Sequence, residues 1–82
     1  MFTNPGQVYE LANRLIVASR AHGGTDTAQR LDDVLNAGSS VLEILGAIQA
    51  VLREEGGTLE QYVDRAEIDT AIRYVDHAFG RS

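Results

Sequence analysis

Apolar residues recur along this chain at spacings of three and four. Val8, Leu11, Ala12, Leu15, Ile16 and Ala18 form one stripe when wound at helical pitch. Asn4 stands ahead of them as a cap, Pro5 suits the first helical position, and Gln7 completes a capping-box pattern. Arg20 and His22 fall where cations suit a helix C-terminus, and Gly23-Gly24 supplies the stop. The pattern predicts a helix over 5–21. Ala28, Leu31, Val34 and Leu35 mark a second helix over 26–37, with Asp26 and Gln29 as its box, Thr25 as a competing cap and Gly38 as its end. Ser40 with Glu43 opens a third helix over 41–55, ended by Gly56-Gly57. Its apolar residues, Val41, Leu42, Ile44, Leu45, Ile48, Val51 and Leu52, cover well over half of the circumference. Such a helix belongs at the centre of a bundle, packed on more than one side. Gly46 within it suits the close approach of a neighbouring helix.

Residues 58–79 admit two readings. Thr58 with Gln61 and Asp64 with Glu67 are further box patterns. Leu59, Tyr62, Val63 and Ala66 share one face, whereas Ile68, Ile72, Val75 and Phe79 share another. Either one continuous helix carries two apolar faces, or a short helical segment over 59–63 precedes a new helix over 65–79. The change of face at Asp64 favours the break. No period-two alternation and no hairpin turn signal competes. The expected fold is all-α: a single domain over 1–82, built as a compact bundle of four or five short helices. Residues 80–82 form a short tail.

Composition narrows the function classes. The chain has 82 residues, no cysteine and a net charge of −5. Its basic side chains are all arginine. Residues 1–41 carry three Arg and four acids, and residues 42–82 carry four Arg and eight acids. The excess negative charge therefore lies mostly in the C-terminal half. Nucleic-acid binders cluster basic charge on one face; here the arginines are scattered among acids. The same balance argues against an anionic membrane surface. No targeting segment or membrane span is evident, so a cytoplasmic protein is expected.

The search for chemistry finds little. His22 and His77 sit in last helical turns, and Ser39 and Ser40 at a helix start, where capping and dipole preferences account for them. No nucleophile-elbow motif, zinc motif or EF-hand spacing occurs. Glu60, Asp64 and Glu67 could line one edge of a continuous helix, but no histidine stands at a matching spacing. The glycine pairs do not fit a phosphate-binding loop, and no lysine is available to reach a phosphate. No catalytic, cofactor or metal residue is therefore assigned, and no small-molecule substrate. The second and third helices have helix-turn-helix spacing. Helix 3 nevertheless begins Val41-Leu42-Glu43, with no basic residue before Arg53, which disfavours DNA reading.

Two features invite a protein partner. The stripe Ile68, Ile72, Val75 and Phe79 either completes the core or forms an interaction face, with a homodimer as the simplest use. Glu54, Glu55, Glu60 and Asp64 cluster around the Gly56-Gly57 turn as an acidic patch. The expected function is a non-enzymatic interaction or oligomerisation module. The alternative is an acidic regulator of antitoxin, immunity or anti-repressor type that occupies a basic surface. A helix-turn-helix DNA-binding protein ranks below both.

Overall fold

The computed structural model describes residues 2–37 and 40–80. Gly38 and the Ser39 turn, expected to close the second helix, and the Arg81-Ser82 tail lie outside the described residues. Within them the fold is an all-α bundle of four helices: α1 (Pro5–Ala21), α2 (Thr25–Leu35), α3 (Val41–Leu59) and α4 (Arg65–Ala78). Its radius of gyration, 11.7 Å, matches the compaction expected of a globular chain this long.

The first helix follows its local signals throughout. The Asn4 side chain accepts from the Gln7 backbone N–H at 3.2 Å, and the Gln7 side chain accepts in return from the Asn4 N–H. Gly23, at φ +82, makes the left-handed turn that ends α1. α2 starts at Thr25, one residue earlier than expected, with Gly24 as its cap and no side-chain cap bond. The Asp26–Gln29 box therefore does not form. The Gly24 N–H is tied to the Ser19 carbonyl at 2.6 Å, which fixes where the helix begins. Asp26 instead lies in the first turn, where its charge suits the dipole. α2 also ends earlier, at Leu35, because the Asn36 amide donates to the Asp32 carbonyl at 2.8 Å.

The largest departure is at Gly56-Gly57. These glycines do not end α3, which continues through both to Leu59. The separate short helix expected over 59–63 is absent: Leu59 finishes α3, and residues 60–62 form a turn. Two helical glycines cost about 2 kcal/mol relative to alanine. Burying Leu59 completely returns about 1.5–3 kcal/mol, and the added turn gains its own backbone bonds, including Glu60 N–H to the Gly56 carbonyl at 2.9 Å. Gly56 lies on the buried stripe because the Arg65 guanidinium covers it; a Cβ there would stand 2.5 Å from Nη1. Gly57 faces open space. Gly57→Ala is therefore expected to stabilise the fold by about 0.5–1 kcal/mol, read as a rise of several degrees in the thermal midpoint.

A break does separate α3 from α4. Asp64 adopts an extended conformation before Arg65 but makes no side-chain cap bond. The Asp64–Glu67 box fails because the Glu67 carboxylate is drawn to Arg14 on α1, a charge-assisted pair stronger than a neutral cap contact.

α3 is central, as its apolar girth predicts: it packs against each of the other three helices. Leu45, Ile48, Leu52 and Leu59 from α3 meet Leu11 and Leu15 from α1, Leu31 from α2, and Ile68 and Val75 from α4 in one buried cluster. Gly46 has the expected role. The Phe79 ring at the end of α4 stands over it, with Cζ 3.2 Å from where a Cβ would sit.

Candidate interaction surface

The stripe on α4 divides. Ile68 and Val75 are fully buried, Ile72 packs half-buried against the core, and Phe79 is 37% exposed. Ile68, Ile72 and Val75 thus complete the core of this chain, and only Phe79 remains at the surface. The reason is the break at Asp64, which lets α4 turn its apolar face onto α3.

The acidic patch is also divided. Arg30 on α2 donates to Glu54 at 2.6 Å and to Glu55 at 2.8 Å, and Glu55 accepts a further bond from the Thr27 hydroxyl. Glu60 lies 3.6 Å from Arg65, and Asp64 is exposed. Two of the four carboxylates are therefore engaged by α2, in the same contacts that hold α2 to α3. Arg14 reaches Glu67, Asp69 accepts from Arg65 at 3.2 Å, and Arg73 donates to the Thr70 hydroxyl.

Arginine thus has a common use in this fold. Arg20 meets Asp32 between α1 and α2, Arg30 meets Glu54 and Glu55 between α2 and α3, Arg53 meets Asp76 between α3 and α4, and Arg14 meets Glu67 between α1 and α4. Four helix junctions are thus each clasped by one arginine. Donation to Glu67, reinforced by the charges of Glu67 and Glu10, holds the Arg14 guanidinium above its ordinary pKa. Donation to Glu54 does the same for Arg30, with the nearby charges adding to it. A raised cationic pKa stabilises the fold below the arginine range and loses that effect only as pH climbs through it. These contributions are therefore complete at neutral pH.

Ser19 is wholly buried, and its hydroxyl has no hydrogen-bond partner among the described residues. His22 is exposed and stacks on Tyr62, with ring centroids 5.3 Å apart. Glu60, Asp64 and Glu67 fall in the α3 cap, the link and α4, which separates them. Among the described residues, no three His, Cys, Asp or Glu side chains converge to hold a metal. No described helix is long and apolar enough to cross a membrane. The unpartnered Ser19 hydroxyl suggests a direct test. Ser19→Ala removes a buried group that lacks a partner and is expected to raise stability by about 1 kcal/mol in chemical unfolding.

Apolar side chains left at the surface are few. At the start of α3, Val41 is 48% and Leu42 47% exposed. Leu42 lies one turn before Gly46, so it shares a face with the position that Phe79 covers. Val41 and Leu42 are thus exposed at the start of α3, and Phe79 is partly exposed where it covers Gly46 one turn further on. Val17, on the outer face of α1, is 69% exposed beside Ala18 and Ala21. Val41 and Leu42 belong to the apolar girth of α3 that the sequence pattern predicts to pack on more than one side; both lie at the outer start of that helix and stay about half exposed.

Comparison with protein-family models gives no match. Comparisons with curated proteins and with solved structures give no significant match.

Proposed function

We propose that this chain is a non-enzymatic protein-interaction module that self-associates as a homodimer. The observation that supports this reading is the exposed pair Val41 and Leu42 at the start of α3, with Phe79 partly exposed over Gly46 of the same helix. A two-fold pairing is the commonest way to cover such a patch, and a chain this short gains proportionally from added burial. A cytoplasmic location is part of the proposal. The alternative of an acidic regulator has less support, because Arg30 engages Glu54 and Glu55 within the chain. DNA reading has less still, since Val41, Leu42 and Glu43 occupy the start of the would-be recognition helix.

Light scattering tests the proposal. The wild-type chain is expected at twice its 8.9 kDa mass, and Leu42→Glu at the single-chain mass with an unchanged helical circular-dichroism spectrum. A wild-type chain that stays at single-chain mass up to high concentration overturns it. Dissociation by salt rather than by Leu42→Glu would instead favour the charged surface of the alternative reading.

A further inference from the structure

We draw no further inference here: the strongest candidate, the open cleft between the start of α1 and α4 lined by Phe2, Gln7, Glu10, Arg14, Glu67 and Thr70, has its one cation already engaged by Glu67, and nothing in the structure shows what would cover or fill it.

Discussion

Ile68→Ala is expected to destabilise the protein by about 2–5 kcal/mol, the range for removing a buried branched side chain and leaving a cavity. Domains of this length hold about 4–12 kcal/mol in all, so the variant stands near the edge of folding at room temperature. Ile68 has no exposed surface and sits in the first turns of α4, where it anchors that helix to α3. Urea unfolding followed by far-ultraviolet circular dichroism reads the effect. A single transition with a much lower midpoint is expected, because α4 shares one core with the other helices. An unchanged midpoint would show that α4 is not docked as described.

Asp76→Ala should cost about 1–3 kcal/mol, because it strips acceptors from a partly buried polar group. The Asp76 carboxylate accepts from Gln49 Nε2 at 2.8 Å and from Arg53 Nη2 at 3.1 Å. Gln49 is almost wholly buried, and its amide also donates to the Ile72 carbonyl at 2.9 Å. Asp76→Asn retains an oxygen for Gln49 while discarding the charge that holds Arg53, so its loss should be the smaller one. Combining Asp76→Ala with Gln49→Ala isolates the pair. A coupling of about 0.5–3 kcal/mol is expected for side chains in direct contact. Additive losses would mean that the two residues act separately. Added salt should weaken the Arg53 contribution and leave the Gln49 contact nearly untouched.

How far the fold was legible follows from where each signal lives. α1 was readable to the residue, because cap, proline, stripe and terminal glycines all lie within one segment. The all-α plan was equally local, though it left four and five helices open. Gly56-Gly57 misled because the reasons α3 continues, the burial of Leu59 and the cover that Arg65 gives Gly56, depend on the folded bundle. Asp64 and Glu67 spelled a capping box, but Arg14 lies far away in sequence and draws Glu67 off. The same holds for the candidate surface. The stripe through Ile68 and Val75 was legible as apolar, but periodicity does not say whether the covering side chains come from the same chain. Glu54 and Glu55 looked free for a partner because Arg30, which engages them, sits on another helix.

The junction between α1 and α4 sets an order for assembly. Arg20 and Asp32 are 12 residues apart, whereas Arg14 and Glu67 are separated by 53. Each doubling of a closed loop adds about 0.6 kcal/mol of entropy cost, so the first contact closes for about 1 kcal/mol less than the second. The hairpins between neighbouring helices are therefore expected to form first, with α4 meeting α1 once α3 has brought it there. Contacts made that late leave the folding rate nearly untouched and act on the rate of opening. The Arg14–Glu67 pair is in this sense expected to act as a kinetic seal: it should slow the opening of the bundle modestly, as a partly exposed pair does, rather than speed its making.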